Sequence, residues 1–381
     1  MTSVPPCLSS NRSPSYGRAR LWVGISAVGT LVTLAAAALA AGLPTWVDAR
    51  VGPGLGAALM PLAMYVATHA AVQLPFDFFG GYFLPMWYGR SRLGIRNFLG
   101  RCFRGAVVYG ILLFTSLGSL LVGGHVGGVW GVIAAGSIVS CLLLWCRLAF
   151  AKTLAHFCVD DPGGSSTVVF VSSDDEGFTG GVLGVLTPRR FMLPVLWQSS
   201  LTADQFAYAR RRREIAGSSG IWRRGRVVAI VFTLAGMGLS AVAVGPDRVG
   251  TAGGTIAFGL WFTLWSFFGL LTLPTLSRRG VAELDAYVRS ASVPDTLMAA
   301  TARTLDAHQD DEPIRPALVE AIFHPIPSIQ NREGVANCRV LGAWDAARTA
   351  VYLGLSGGGL LGRAVHCNCG RPALWAFLPV D

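Results

Sequence analysis

The chain has 381 residues, of which 52% are hydrophobic and only 14% are charged. Soluble domains carry roughly 25% charged residues, so this composition excludes an ordinary soluble protein and indicates a membrane protein with several spans. The formal net charge is +10, and Lys152 is the only lysine. We attribute the excess of arginine to membrane topology and predict no nucleic-acid partner, since no nucleic-acid motif accompanies it.

The first part of the chain alternates polar and apolar stretches. Residues 1–20 are polar and predict a disordered cytoplasmic tail, whereas residues 21–43 run without a charge and are long enough to span a bilayer. That run exceeds the apolar core of a signal peptide, so we interpret it as a retained anchor. A second span is predicted at about 55–74 and contains His69, which either bonds to a neighbouring helix or marks a functional polar site.

An acid follows the second span among aromatic residues. Asp77 stands between Phe76 and Phe78, and the connector after it carries five arginines, Arg90, Arg92, Arg96, Arg101 and Arg104. Arginine-rich connectors of this kind face the cytoplasm. We therefore predict that Asp77 pairs with one of these arginines, the alternative being a place in a functional cavity.

Two further spans complete a predicted four-helix membrane region at 21–150. They cover about 106–122 and 126–150 and are joined by a glycine-rich turn at 123–128. Polar residues dominate the next region, 151–226. There the pattern predicts short strands followed by a helix, at Val168–Ser172, 178–185, 191–197 and 203–215.

The second half of the chain repeats this alternation. Spans five and six are predicted at 227–244 and 251–273, within a membrane region at 227–275. A cytoplasmic part at 276–342 follows. Residues 343–381 are predicted to form an interfacial or re-entrant helix and a tail, because only 14 residues separate Arg348 from Arg363.

The predicted fold class is therefore a mainly α membrane protein with about six transmembrane helices and a small α+β cytoplasmic domain. Because arginines collect beside alternate connectors, both polar regions are predicted to face the cytoplasm. The predicted location is a bacterial inner membrane, with the lipid bilayer as a partner.

The polar regions carry three short motifs in a fixed order. Leu201-Thr202 opens the predicted helix, Ser277-Arg278 precedes Asp285, and His324-Pro325 precedes Arg332. In this order they resemble the catalytic part of integral-membrane zinc metallopeptidases of the CAAX prenyl protease and HtpX type. The resemblance covers about residues 74–332 and implies a gluzincin-like α+β domain, in which an HExxH helix and a later Glu bind zinc.

The zinc ligands of that family are absent from the matching positions. Placing Glu214 on the family's catalytic Glu puts Arg213 and Gly217 where two histidines belong, and Val281 stands at the third ligand. A protonated arginine has no lone pair to offer a metal. We therefore predict no zinc cofactor and no metal site, and the resemblance leaves four degenerate catalytic positions, Glu214, Asp285, His324 and Arg332.

Four consecutive arginines on the same predicted helix are the candidate binding residues, Arg210, Arg211, Arg212 and Arg213. One interpretation is a solvated helix face beside the anionic inner leaflet. The other is a cleft in which guanidinium groups hold a carboxylate, such as a peptide C-terminus, through paired hydrogen bonds.

The favoured hypothesis is a catalytically inactive, peptidase-like membrane protein that binds or regulates a membrane protein or peptide. One alternative is an active zinc endopeptidase with non-standard ligands such as His308 and His324. Another is a transporter or channel that uses His69 and Asp77. The order of the polar motifs favours the first hypothesis, and no repeated pattern of spans supports the third.

Overall fold

The computed structural model describes residues 14–52, 54–91, 93–155, 157–160, 167–334, 341–365 and 368–379. These ranges are mainly helical and contain one four-stranded sheet. The helices are α1 (Tyr16–Ala40), α2 (Leu43–Asp48), α3 (Leu55–Phe78), α4 (Leu84–Trp87), α5 (Ile95–Trp145), α6 (Arg147–Ala155), α7 (Leu196–Ser200), α8 (Ala203–Ser218), α9 (Ile221–Val244), α10 (Ala252–Ser290), α11 (Asp295–Gln309), α12 (Ala317–Phe323), α13 (Ile329–Gly334), α14 (Ala346–Leu353) and α15 (Ala373–Ala376).

Five helical stretches in the described part of the chain are long and apolar enough to cross a membrane. They are α1, α5, α9, α10 and Leu55–Trp87, in which a π-helical turn joins α3 to α4. Their outward side chains are apolar, which suits contact with lipid, and Trp130 and Val126 are about four-fifths exposed. The prediction of a mainly helical fold is confirmed, and the five candidate spans are consistent with an integral membrane protein.

The longest of these helices contains a chain reversal. At ~1.5 Å per residue, the 51 residues of α5 would extend about 75 Å if straight, far beyond a hydrocarbon core of ~30 Å. Instead, Gly127 and Gly128 leave helical geometry, and Gly128 has a φ of 54°. A Cβ atom on Gly123 would lie 2.4 Å from the carbonyl oxygen of Gly131, so the two arms run side by side. The reversal falls at the predicted glycine-rich turn.

The connectors between the apolar helices gather at two opposite ends of the bundle. At one end the start of α1 and the connector after α4 bind the polar regions, through Arg20 and Asp310 (3.5 Å) and through Arg90 and Asp311 (3.0 Å). At the other end Asp48 accepts hydrogen bonds from the backbone N–H of Gly253 (2.6 Å) and from Thr251. Successive apolar segments therefore run in alternating directions.

The sheet lies in the first polar region. Its strands are β1 (Cys158–Asp160), β2 (Val168–Ser172), β3 (Gly181–Leu183) and β4 (Arg190–Pro194), in the spatial order β1-β2-β4-β3. β2 and β4 are parallel, and both outer strands are antiparallel to their neighbours. β2 has the bounds that its sequence predicted. β1 was not predicted, because three residues carry too little of a period-2 pattern.

The C-terminal segment, which we define as residues 341–365 and 368–379, lies inside the bundle. α14 and the 3-10 turn Gly354–Gly357 after it are buried against α5, α9 and α10. The hydroxyl of Tyr352 donates to the carbonyl of Leu143 (2.8 Å), and the hydroxyls of Ser356 and Ser140 are 2.8 Å apart. The segment therefore enters the bundle and fills its interior without a helix long enough to cross it.

Asp77 is paired with this segment, so the predicted pairing with an arginine of the 90–104 connector is wrong. Its carboxylate forms an ion pair with Arg363 and accepts the backbone N–H of Gly370 (2.7 Å). Both side chains of the ion pair are almost completely buried. The connector arginines lie instead at the end of the bundle, where Arg90 and Arg101 meet acids of the polar regions.

Replacing Asp77 by Asn should destabilise the protein, because it leaves the Arg363 guanidinium buried without its counter-charge. We expect a loss of about 3–5 kcal/mol, measured as thermal unfolding of the purified protein in detergent. Asp174→Asn removes a carboxylate from an exposed pair with Arg101 and serves as the control. Adding Arg363→Gln to Asp77→Asn should recover part of the loss. An unchanged melting temperature for Asp77→Asn contradicts the assignment.

Candidate functional site

The lead-in to α8 is a helix cap. The Thr202 hydroxyl accepts the N–H of Gln205 (3.3 Å), and the Gln205 side chain accepts the N–H of Thr202 (3.0 Å). This reciprocal arrangement satisfies two backbone donors that a helix start otherwise leaves open. The leucine-threonine motif therefore has a local physical reason, which is to fix where α8 begins.

The four candidate binding arginines do not share one face of α8. Arg210 and Arg211 are half or more exposed, and both contact Glu214, at 3.0 and 3.7 Å. Arg212 and Arg213 are buried. Consecutive helical residues are ~100° apart, so a run of four necessarily spreads around the helix. Glu214, the position matched to the family's catalytic Glu, is therefore held on the outer surface.

The centre of the polar regions is a carboxylate held by two arginines, which we call the Asp285 triad. Arg212 Nε donates to Asp285 Oδ1 at 3.0 Å. Arg332 donates twice, from Nε to Oδ2 (3.0 Å) and from Nη2 to Oδ1 (3.1 Å). The Asp285 side chain is 4% exposed. The triad joins α8, α10 and α13, and it brings together two predicted degenerate positions and one predicted binding residue.

The electrostatics of the triad keep Asp285 ionised. The apolar part of α10 ends near Leu273, so Asp285 lies beyond the membrane-spanning part of the helix. Its burial raises the pKa, but the charges and hydrogen bonds of Arg332 and then Arg212 outweigh burial, and the net pKa of Asp285 lies below its ordinary value. Since both oxygens are occupied by guanidinium donors, this carboxylate is poorly placed to take a proton from water.

An apolar cluster occupies the positions that the resemblance assigns to metal ligands. Val281 is buried beside Trp344 and Trp222. Arg213 donates to the carbonyl of Thr179 (2.9 Å) and lies 5.9 Å from the rings of Trp197 and Trp344. Neither the Val281 side chain nor the Arg213 guanidinium offers a lone pair to a cation.

Trp344 was missed by sequence reasoning, although two glycines mark where it packs. Its backbone lies between α9 and α10: a Cβ atom on Gly225 would be 1.8 Å from its carbonyl oxygen, and one on Gly280 would be 2.2 Å from its nitrogen. Only glycine permits so close an approach of two backbones. The pair of glycines was the available signal, but nothing in the sequence names the partner.

His324 lies at the end of α12, and the carbonyls there are capped by Arg278. Arg278 Nη1 donates to the carbonyls of Glu320 (2.6 Å), Ala321 (2.8 Å) and His324 (2.9 Å), which satisfies the open acceptors of a helix C-terminus. The His324 side chain is buried and lines a small cavity beside Arg332, whereas His308 lines a different cavity. Within the ranges described, no group of three His, Cys, Asp or Glu side chains is arranged to hold a metal ion.

A cleft opens beside the triad, between the end of α10, α11 and α13. It has a volume of about 340 Å³ and is lined by Asp285 and Arg332, by the apolar Met298 and Ile329, and by Arg303. Its wall is therefore amphipathic and includes two members of the triad, Asp285 and Arg332. We call it the α11 cleft.

The chain was compared with protein families and with curated proteins. No family model and no curated sequence matches it. The Asp285 triad and the α11 cleft are therefore the features of the chain that indicate its function.

Replacing Asp285 by Asn should leave two guanidinium groups facing a neutral amide. We expect a loss of about 3–5 kcal/mol in the free energy of unfolding. Asp295→Asn is the matched control, because Asp295 lines the same cleft and pairs with Arg289 but is 76% exposed; we expect no measurable change there. Thermal unfolding of both variants makes the comparison, and equal melting temperatures contradict a structural role for the triad.

The stability that Asp285 contributes to the fold should decrease as the pH falls. The folded pKa of Asp285 lies below its unfolded value, so its contribution to stability is complete above the ordinary aspartate pKa and is lost as the pH falls. The Asn variant should therefore lose less stability than the wild type on acidification below about pH 4. Parallel acid profiles of the two proteins contradict the assignment.

Proposed function

We propose that the protein is a catalytically inactive, peptidase-like membrane protein that binds a protein or peptide segment in the α11 cleft. The observation that carries the proposal is the Asp285 triad. It joins the elements that carry the resemblance, α8, α10 and α13, through three hydrogen bonds between charged groups. The triad therefore holds these three helices together, and its carboxylate is too fully hydrogen-bonded to act as a catalytic base.

Hydrolysis by a zinc peptidase needs a metal to lower the pKa of a bound water and a carboxylate to accept its proton. At the matching positions here, Arg213 brings positive charge and Val281 brings a methyl surface. Glu214 lies on the outside of α8 and is engaged by two neighbouring arginines. These three placements support a scaffold that holds a partner without cleaving it.

The α11 cleft has the size and chemistry for a short peptide. Its volume lies within the usual range of ligand sites, roughly 300–1,000 Å³. Met298 and Ile329 offer apolar contact and Arg303 supplies positive charge, whereas Arg289 is paired with Asp295 of the same cleft. We therefore propose an apolar side chain next to a carboxylate as the recognised feature, since guanidinium groups bind carboxylates through paired donors.

We further propose six membrane crossings, with the two arms of α5 counted separately and both polar regions in the cytoplasm of a bacterial cell. Six crossings are supported by the reversal at Gly127 and Gly128 and by the alternating directions of the apolar segments. The orientation is supported by the arginines at the end of the bundle that carries the polar regions, including Arg90 and Arg101.

Cysteine labelling of intact cells tests this orientation. Ser172→Cys places a thiol on an exposed position of β2 in the polar region, and Val126→Cys places one on the exposed turn of α5 at the opposite end. A membrane-impermeant maleimide should label the Val126 variant above the wild-type level and should label the Ser172 variant only after the cells are opened. The reverse pattern contradicts the orientation.

Metal analysis and proteolysis test the absence of catalysis. The purified protein should contain no stoichiometric zinc, should cleave no peptide substrate, and should behave identically when Glu214 is replaced by Gln. About one zinc per chain, together with proteolysis that Glu214→Gln abolishes, would establish an active peptidase and reject the proposal.

Photo-cross-linking tests binding in the cleft. A photoreactive amino acid at Ala299 lines the α11 cleft, whereas one at Ala307 is exposed on the same helix and lies outside it. Cross-links to a defined protein or peptide should form from position 299 and not from position 307, and an excess of a peptide that ends in an apolar residue should compete. Equal cross-linking from both positions contradicts a specific site.

A further inference from the structure

A second cavity adjoins the α11 cleft, with which it shares Arg332 and Ile329, and extends to where the start of α1 meets the polar regions. Its lining contains arginines from five separate parts of the chain, Arg20, Arg315, Arg332, Arg348 and Arg371. His324 completes this side of the wall, and only two carboxylates, Asp306 and Asp310, line it. We call it the Arg20 cavity. The convergence of so many guanidinium groups on one space indicates an anionic occupant.

Arg20 is the most informative member of the wall. Its side chain is 2% exposed, and its only ion pair among the described residues is a 3.5 Å contact from Nη1 to Asp310. The guanidinium carbon lies 5.2 Å from the ring centre of Tyr16. Nη2 is buried, and no residue in the described ranges accepts a hydrogen bond from it. A buried guanidinium N–H without an acceptor is unfavourable, so an acceptor from outside the protein stabilises this arrangement.

Carboxylates in and around the cavity orient most of these arginines but leave donors free of hydrogen bonds. Asp306 and Asp310 both contact Arg315 Nη2, at 3.2 and 3.3 Å. Asp310 is therefore shared between Arg315 and Arg20. Arg315 also lies 3.8 Å from Glu312, Arg332 pairs with Asp285, and Arg371 pairs with Asp175. These acids fix the orientation of the guanidinium groups, while Nη2 of Arg20 and Nε of Arg315 have no hydrogen-bond acceptor among the described residues.

The size of the cavity restricts the occupant. Its volume is about 40 Å³. Since one water-sized group needs roughly 10–15 Å³ on this scale, about three or four such groups fit. The four oxygens of a phosphate group match that space, and a tetrahedral oxyanion accepts hydrogen bonds from several directions, as arginines on separate elements require.

We propose that the Arg20 cavity binds a phosphate group, with Arg20 and Arg315 as its principal donors. The position of Arg20, one turn into α1 at the end of the bundle that carries the polar regions, allows two sources. The group is either free phosphate or the phosphomonoester headgroup of a lipid. Arg332 lines both cavities, but the two principal donors of this site, Arg20 and Arg315, do not line the α11 cleft, so their substitution tests phosphate binding separately from peptide binding.

Titration with inorganic phosphate is the direct test. Full-length protein in uncharged detergent should show a saturable rise in melting temperature with phosphate, whereas sodium chloride at the same ionic strength should not reproduce it. Arg20→Gln should weaken the apparent affinity about tenfold or more, since charge-assisted hydrogen bonds are lost. Arg50→Gln is the matched control. Arg50 follows α2 and stacks on Trp46, at the end of the bundle opposite to the Arg20 cavity.

Lipid nanodiscs separate the two sources. If the lipid headgroup is the occupant, phosphatidic acid in phosphatidylcholine discs should stabilise the wild type in phosphate-free buffer. It should not stabilise Arg20→Gln. Free phosphate should then have little effect on the wild type. Arg20→Lys keeps the charge but removes the planar donors, and it replaces Arg20→Gln if that variant does not fold. A wild type that responds to neither probe overturns the proposal, and so does an equal response of the Arg20 and Arg50 variants.

Discussion

A guanidinium group buried in a helical bundle needs a hydrogen-bond acceptor, and this constraint determines where the C-terminal segment packs. Arg147, Arg226 and Arg363 are each almost fully buried. Arg147 Nε donates to the carbonyl of Ala376 (2.7 Å), and Arg226 Nη1 donates to the hydroxyl of Thr349 (2.8 Å). In each case the arginine or its partner belongs to the C-terminal segment, which is therefore required for the bundle to bury these charges.

The need of a buried charge for a partner also explains why Asp77 has a structural role. Asp77 lies in an apolar helix, where an ionisable residue is by default a candidate for transport. Both of its oxygens are engaged, one by Arg363 and the other by the N–H of Gly370. The interior beside it is filled by the C-terminal segment, including Trp375, whose ring lies 4.5 Å from the Arg363 guanidinium. This packing favours a binding scaffold over a conduit.

Sequence reasoning found what depends on local pattern. Long uncharged runs placed the apolar helices, since few other structures tolerate them. Gly127 and Gly128 marked the reversal in α5, and the alternation in Val168–Ser172 gave β2. Each of these features is determined by residues close in sequence, so a period or a conformational preference is enough to predict it.

Partners across long distances in the sequence were not predictable. Asp77 and Arg363 are 286 residues apart, and Arg212 and Asp285 are 73 apart. Both pairs form because their side chains are buried together. A single sequence has no pattern that shows which arginines are buried. Arg212 and Arg210 are the same residue type two positions apart on one helix, yet one is buried and the other is half exposed. The run of arginines in the sequence therefore did not reveal which of its side chains are buried.

On the function proposed here, the triad gives a physical reason why a peptidase-like scaffold can remain folded without a metal ion. A structural metal ion holds separate elements together, and its loss normally unfolds them. Asp285 makes the same kind of cross-link between α8 and α13 with two arginines, whose charges hold its pKa low and keep the link intact at neutral pH. Breaking one buried ion pair costs about 3–5 kcal/mol, which is a large part of the stability of an ordinary domain. On the proposed function, selection for folding alone would therefore be sufficient to retain Asp285 and both of its arginine partners in a scaffold without catalysis.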